Sequence, residues 1–572
     1  MIRSFLFLSL LLLPLGFAQT NFRQDFQNPM LKDSLDQALT FYETHQFDGA
    51  DLLSQIENGT PIALDLLGIL IDVKMEPFDL RSSNAYMVTM ADDGTAIPVY
   101  RPVRTYRGKV DGIPDSDMAL LITENLITNT VRMKEEVFFL QPTQKFNAKL
   151  GTDTTVIYRD ADVRDHAKAS CGMEYIETAS EKLLDQTKAT YSVNPKVVQI
   201  ALDTDGEFVQ AHPSIDVHDL LENYVNQLDV IWRNDLNLQL EITAIIVRPN
   251  PSTDPWTNTI YGHGPLRFGQ YGGGGGTCQT PGDGLWEQFS NYWNSNGSFY
   301  HDIMVLFVGR DMKLCPTTTD PTTYELFGTA GALGTVCRYP DRAYVVMEEY
   351  TTNTAGLMAH EIGHSLNGIH INSTDCNPGL PIGPVLCGTV EAGSDYYAAS
   401  NITRITNFLN TYGSCLGEEI HFPITADTYV LPQWPNNNYG ANNYVWMRTG
   451  PSGYIRKAYF KFTVSGLTST ISSAKMRALT GPVAFPSITL SSVADSSWGE
   501  YTITWNNAPP FGFSMGASPG LPASTWVDIN LSPFITGNGV FTVGAVAPDI
   551  PNLYFRTRHT PEAPTLIIKT ND

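Results

Sequence analysis

The chain is 572 residues long, with 36 Lys and Arg against 59 Asp and Glu, a formal charge of −23. Hydrophobic residues make up 42 % and charged residues 17 %, enough apolar material for several cores, which excludes a wholly disordered acidic chain. The length suits about three or four domains, and the acidic balance argues against nucleic acid or an anionic membrane as the main partner.

Met1-Ile2-Arg3 is a short positive start, Ser4 to Gly16 an apolar run, and Gly16-Phe17-Ala18 offers small residues for cleavage after Ala18. This predicts a signal peptide over residues 1–18, a secreted product and a compartment that permits disulfides. The run is too short to span ~30 Å of hydrocarbon, and no later stretch is long and apolar enough, so no membrane span is expected. Met87–Met90 and Glu136–Leu140 read as strands of a mainly β region. A boundary falls near residues 172–195, and an α/β rhythm follows. Val197–Leu202, Leu238–Val247, Ile303–Val308 and Ala343–Met347 read as strands. Val217–Leu236 reads as a helix with Leu220, Leu221, Tyr224, Leu228 and Ile231 on one face and Asp216 as N-cap. A further helix starts near Thr354. The Gly272–Gly276 run lacks the Lys-Ser/Thr of a phosphate loop and reads as a flexible loop.

The strongest chemical signal is His360-Glu361-Ile-Gly-His364-Ser-Leu-Asn367-Gly368-Ile-His370. His360 and His364 are four apart, so on a helix they project from one face and can share a metal. Glu361 sits beside them without ligating. His370 joins only if the helix stops and the chain reverses, and Asn367-Gly368 supplies residues that tolerate positive φ there. Three imidazoles leave a fourth position open, as in a catalytic zinc site.

This segment resembles the metzincin zinc endopeptidases, whose pattern is H-E-x-x-H-x-x-G/N-x-x-H, and within them the reprolysin (ADAM-like) group. Gly328-Thr-Ala-Gly-Ala-Leu-Gly-Thr-Val-Cys337 resembles the upper edge strand and cysteine that precede the zinc helix in that group. The resemblance implies hydrolysis of a protein or peptide substrate by a zinc-activated water, with Glu361 as general base and an extended peptide held along the edge strand. Two features depart from the family. No Met lies between Met358 and Met447, and Leu386 of Val385-Leu386-Cys387-Gly388 stands where the turn methionine is expected. Ile371 follows the third His where reprolysins usually carry Asp.

All seven cysteines lie between Cys171 and Cys415. Cys171, in Ala169-Ser-Cys171-Gly172, resembles the cysteine switch of matrixin and reprolysin precursors, in which a thiolate fills the fourth zinc position and keeps the enzyme silent. Tyr106–Ser116 followed by Met118–Ile122 resembles the reprolysin pro-domain. Processing is expected in Glu174–Ser192, where Lys182 and Lys188 are single basic candidates. Six cysteines allow fifteen connectivities; the resemblance favours Cys337–Cys415, with Cys376–Cys387 and Cys278–Cys315 as local loops.

Residues 422–572 differ from the rest, with nine Lys and Arg against seven Asp and Glu. Tyr459–Val464 and Tyr501–Trp505 alternate as strands, and the composition suggests a β-sandwich. Asp427, Asn438-Tyr439-Gly440, Arg456, Trp498 with Glu500, Trp505 and Arg556 occur in an order that resembles the DNRLRE (disaggregatase-related) modules, several of which are associated with polysaccharide binding. Trp434, Tyr439, Arg456 and Arg558 are the carbohydrate-contact candidates, and Asp427 suggests a bound Ca²⁺.

The expected architecture is multidomain. It comprises a signal peptide (1–18), a mainly β pro-domain with its switch (19–190), an α/β metzincin catalytic domain with a mixed twisted sheet and zinc helix (191–419), and a jelly-roll-like β-sandwich (422–572). The expected function is a secreted zinc endopeptidase made as a zymogen and targeted to a polysaccharide or surface. The alternative is a non-catalytic adhesin or matrix-binding protein on the same scaffold. The presence of Glu361 beside the three His favours the enzyme.

Overall fold

The computed structural model describes residues 21–23, 29–133, 136–147, 150, 152–164, 169–171, 194–256, 284–297, 299–313, 325–350, 353–371, 383–387, 389–390, 394–451, 454–518 and 520–570. The signal segment, the Gly272–Gly276 run, the expected processing region Glu174–Ser192, and Cys278, Cys315 and Cys376 lie outside the described residues.

The N-terminal region is a nine-stranded antiparallel sheet. Its strands run in spatial order Asn21–Arg23, Glu43–Phe47, Thr154–Arg159, Glu136–Pro142, Ile127–Met133, Ser116–Ile122, Thr105–Val110, Ile69–Pro77 and Ile62–Leu66. Leu64, Val73, Met118, Leu120, Val131, Phe138 and Leu140 fill its core.

The middle region is built on a mixed sheet. Lys196–Thr204 lies between Leu238–Val247 and Ile303–Val308, both parallel to it. Tyr344–Glu348 continues the parallel set and Gly328–Ala330 runs antiparallel at the edge. Strands buried on both faces read as continuous apolar runs, as Ile303–Val308 does. Helix Val217–Leu236 covers one face. Asp216 caps it by accepting from the His218 amide, and Asn237 ends it with φ 52°. Leu220, Leu221, Tyr224, Leu228 and Ile231 bury against the sheet, while helix Leu285–Asn296 covers the opposite face with Trp286, Phe289 and Trp293.

The C-terminal region is a β-sandwich. Gly417–Val430 belongs to both of its sheets: Glu419–Pro423 pairs with Thr565–Thr570, and from Ile424 onward the strand pairs with Lys457–Val464. Side chains from the two inner faces, among them Phe460, Phe462, Met476, Ile529, Val543 and Leu566, form one core. Among the described residues no helix is long and apolar enough to cross a membrane.

Three expectations change. Arg81–Met90 is a strand, but it does not belong to the N-terminal sheet: it lies parallel to Leu238–Val247 and extends the sheet of the middle region. Tyr501–Trp505 is not a strand. Asn507 Oδ1 accepts from the Thr504 amide at 2.6 Å, and the Ile503 amide turns back to the Gly499 carbonyl at 2.9 Å, so local turn bonds replace a ladder. In Gly328–Cys337 only Gly328–Ala330 is extended, because Gly334 and Cys337 both take φ of 61° and turn the chain.

The N-terminal and middle regions share a buried charge cluster. Glu349 accepts from the Tyr224 hydroxyl, meets His212 Nε2 at 2.9 Å and lies 3.4 Å from Lys145 Nζ of the N-terminal region. Burial alone would raise Glu349, but Lys145 and His212 hold it well below the usual carboxylate range. Burial alone would lower His212, but Glu349 more than offsets this and raises it. A depressed carboxylate contributes stability above its unfolded value of about 4.5 that is lost as pH falls; a raised imidazole contributes below about 6.5 and loses this as pH rises. Thermal unfolding should therefore separate wild type from Glu349→Gln most between these values, with the gap closing toward lower pH and narrowing above neutrality.

Candidate functional site

Helix Thr354–Ser365 starts at Asn353, whose side chain accepts from the Gly356 amide at 2.7 Å. It carries His360, Glu361 and His364, all with 0 % exposure. The helix stops because Asn367 adopts φ 74° and the Gly368 amide closes on the Gly363 carbonyl at 2.8 Å. The chain then reverses under the control of helix Ala399–Tyr412. Arg404 donates to the Asn367 carbonyl at 2.7 Å, and Asn401 brackets Ile369 with bonds of 2.9 and 3.0 Å. These contacts carry His370 back to the other two histidines.

The three Nε2 atoms lie 3.1 to 3.2 Å apart. His360 Nδ1 faces the Val385 carbonyl at 2.7 Å and His364 Nδ1 faces the Gly368 carbonyl at 2.9 Å. A carbonyl only accepts, so both Nδ1 atoms carry the hydrogen and the Nε2 lone pairs of these two rings turn toward the shared point. Burial, with the neighbouring rings, pushes His360 well below its ordinary range, His364 down to about 3 and, by burial, His370 to about 4. The rings are therefore neutral, and a cation is the species that satisfies them.

Cys171 completes the group. Its Sγ is 3.5 Å from His364 Nε2 and 3.6 Å from Glu361 Oε2. Cys171 and the three histidines place one ligand atom each within 4.8 Å of one another, the one such His, Cys and carboxylate group among the described residues. The thiol arrives on a short tether: Ala169 and Ser170 pair with Val390 and Thr389, and Cys171 bridges in parallel to Gly328 on the edge strand. Cys171 forms no disulfide. Glu361 Oε1 has no hydrogen-bond partner, and burial pushes the carboxyl up to about 8.

Tyr397, Asn401 and Arg404 help build this site and were not read from the sequence, while Gly328, Gly368 and Leu386 were named without their contacts. A Cβ on Gly328 would sit 2.7 Å from Glu361 Cγ and Oε1, so glycine there makes room for the carboxylate. The Tyr397 hydroxyl donates to the Ala359 carbonyl at 2.6 Å and accepts from Trp232 Nε1 at 3.2 Å, bracing the helix from below. Leu386 lies beneath the histidines with 1 % exposure, and its carbonyl accepts from the Ile371 amide at 3.0 Å. Its Cδ1 packs against Gly368, where a Cβ would clash. In the sequence Gly328 reads only as the start of an edge strand and Gly368 only as a residue that tolerates positive φ, which falls on Asn367 instead; neither reading says what approaches the glycine.

Cys337 and Cys415 form a disulfide with Cα atoms 5.4 Å apart, tying the loop after the edge strand to the end of the C-terminal helix. Cys387 is disulfide-bonded to a partner outside the described residues.

In the sandwich the four carbohydrate-contact candidates have different immediate neighbours. Trp434 is 52 % exposed. Tyr439 stacks on Tyr429 at 4.6 Å, and Arg558 lies 3.4 Å from Glu500. Asp427 is buried, accepts from the Arg558 amide and is pushed up to about 7 by burial. Arg456 lies beside an aromatic group that the sequence reading did not single out. Strands Tyr444–Trp446 and Tyr554–Arg556 pair so that Val445 and Phe555 enter the core and Tyr444, Trp446, Tyr554 and Arg556 share the opposite face. Tyr554 is 4.5 Å from Tyr444 and 4.8 Å from Trp446, centroid to centroid. Arg556 lies over Tyr444 at 5.1 Å and Arg456 over Trp446 at 5.6 Å.

Comparison with known proteins adds an independent line. Residues 194–409 match the metallopeptidase family M12, and residues 418–570 match carbohydrate-binding module family 96. The chain is 28 % identical over 179 residues to "A disintegrin and metalloproteinase with thrombospondin motifs 4" of Rattus norvegicus, covering 29 % of this chain and 26 % of the relative. It is 22 % identical over 375 residues to "A disintegrin and metalloproteinase with thrombospondin motifs 2" of Bos taurus, covering 59 % and 28 %. A third, motifs 20 of Mus musculus, is 29 % identical over 179 residues, covering 30 % and 9 %. The matched region thus spans between 9 % and 28 % of the length of these curated relatives.

The packing under the histidines gives a direct test. Gly368→Ala drives a methyl group into Leu386 and should lower stability by about 1–3 kcal/mol in chemical denaturation, the usual cost of overpacking. An unchanged midpoint would show that this floor is loose.

Proposed function

Because residues 194–409 are a metallopeptidase domain of family M12 and residues 418–570 a carbohydrate-binding module of family 96, we propose that the chain is the exported zymogen of a zinc endopeptidase that acts on protein or peptide near a polysaccharide. The observation that carries this reading is the convergence of three neutral imidazoles and one thiol beside a buried carboxyl.

The donor set fits zinc. His360, His364 and His370 would hold it through Nε2, and Cys171 Sγ would take the fourth position in the precursor. Zinc, when bound, supplies a Lewis acid that polarises the scissile carbonyl and lowers the pKa of water. The chain's own residues do the rest. Glu361 takes a proton from the attacking water and returns it to the leaving amine. Its Oε1 has no protein partner, which leaves that oxygen available to accept the water proton. The carbonyls of Val385 and Gly368 keep both helix histidines in the tautomer that presents Nε2. Leu386 gives the site an apolar floor in place of methionine. The edge strand Gly328–Ala330 would pair with an extended substrate, and in the precursor Cys171 already bridges to it at Gly328.

In the sandwich, Tyr444, Trp446 and Tyr554 offer ring faces for sugar stacking, and Arg456 and Arg556 beside them suit acidic sugars. An adhesin on the same scaffold would have no use for Glu361, so this residue separates the two readings.

Glu361→Ala should retain zinc by elemental analysis and lose casein hydrolysis at least ~100-fold after activation; hydrolysis at a near wild-type rate would overturn the assignment. Cys171→Ser should hydrolyse casein without processing. Trp446→Ala should weaken adsorption to polysaccharide about tenfold and leave casein hydrolysis unchanged.

A further inference from the structure

The N-terminal region is more deeply built into the protein than a removable inhibitor needs to be. Arg81–Met90 forms a strand of the protease sheet, with Ala244, Ile245, Ile246 and Val247 of the neighbouring strand paired to Tyr86, Met87, Val88 and Thr89. That neighbour, Leu238–Val247, is buried along its whole length. Without Arg81–Met90 it becomes a long, apolar, unpaired edge.

Helix Val217–Leu236 of the protease makes the same point in charge. Its Asp219, Glu222 and Asp229 are buried at 3, 4 and 0 % exposure. Arg101 and Arg104 of the N-terminal region reach Asp219 at 3.0 and 3.5 Å, Arg81 lies 3.9 Å from Glu222, and Arg107 meets Asp229 at 2.6 Å. Asp229 has one partner on its own helix, Arg233. Asp219 and Glu222 have ion-pair partners only from residues 81–104 among the described residues. Removing one side of a buried ion pair is strongly destabilising.

The C-terminal sandwich grips the other side of the same region. Arg477 pairs with Glu76 while it also holds Asp528 at 3.3 Å. Lys475 Nζ donates to the Asp79 carbonyl at 3.0 Å, and the Ala523 amide donates to the Glu57 carbonyl.

We propose that residues 29–164 remain on the protease as a noncovalent subunit after the chain is cut between Cys171 and Asn194, and that this cut alone leaves the enzyme silent. The second half rests on the zymogen reading above. Cys171 lies seven residues beyond Arg164, the last described residue of the N-terminal region before the tether. A short linker on a bound subunit keeps its end at an effective concentration on the order of millimolar, so the thiol stays at the histidines. Activity then requires a second cut upstream of Cys171, which frees the piece that carries it.

The test uses the full chain with a recognition sequence for a specific protease in place of residues 178–184. After complete cutting, size-exclusion chromatography with light scattering is run at physiological and at molar salt, and casein hydrolysis is assayed. The expected result is one particle of undiminished mass containing both fragments in equal amounts, with hydrolysis no higher than before cutting. A second recognition sequence replacing residues 165–168, cut together with the first, should raise hydrolysis more than about tenfold while residues 29–164 still co-elute. Elution of the N-terminal fragment apart from a folded 194–572 fragment would overturn the proposal. Full activity after the first cut, with co-elution, would overturn its second half. Co-elution is read without activity, so it stands apart from the metallopeptidase reading; a Cys171→Ser chain that binds no zinc and stays inert would count against that reading instead.

Discussion

Three neutral imidazole nitrogens are held 3.1 to 3.2 Å apart, two of them with lone pairs turned toward the shared point, and a cation between them relieves that crowding. The surrounding structure exists to enforce that arrangement. Asn367 ends the helix in a left-handed turn, Asn401 and Arg404 steer the return of His370, and two carbonyls fix the ring tautomers. Tyr397 and Leu386 support the helix from below, and the disulfide Cys337–Cys415 ties the loop above it to the last helix. Each of these contacts holds donors in place before the metal arrives, which is how a chain keeps a site selective for geometry and donor type.

The same constraint explains the odd cysteine. Glu361, His360 and His364 are fully buried beside Cys171, whose backbone bridges to the edge strand at Gly328. In the proposed zymogen, the residue that would silence the site also covers it. The N-terminal region delivers this tether while it contributes a strand to the protease sheet and the arginine partners of its main helix. The sandwich contacts both, through the strand that begins at Gly417 beside Val197 and through Arg477 at Glu76. The three regions are one packed particle, and the acidity of the first two is partly spent on these internal pairs.

Much of this was legible in the sequence. The helix Val217–Leu236 followed from its apolar spacing and its Asp216 cap, and the strands Leu238–Val247 and Ile303–Val308 from their largely apolar runs, because burial pattern and local signals agree there. The spacing His360, His364, His370 was enough to expect a shared point. What was not legible was partnership. Alternation predicts that Arg81–Met90 is a strand but not whose sheet it joins. The aromatic face of the sandwich escaped because Trp446 and Tyr554 are distant in sequence, and single exposed aromatics such as Trp434 are easier to notice. Tyr501–Trp505 alternates like a strand, but Asn507 and Gly499 supply turn bonds that win locally.

The central claim is that Cys171 and the three histidines form one zinc centre in the intact precursor. Zinc K-edge X-ray absorption of the purified full-length chain tests it most directly. The account predicts one sulfur and three nitrogen neighbours per zinc, with the sulfur lost in Cys171→Ser. A shell of nitrogen and oxygen alone in the wild-type precursor would contradict it.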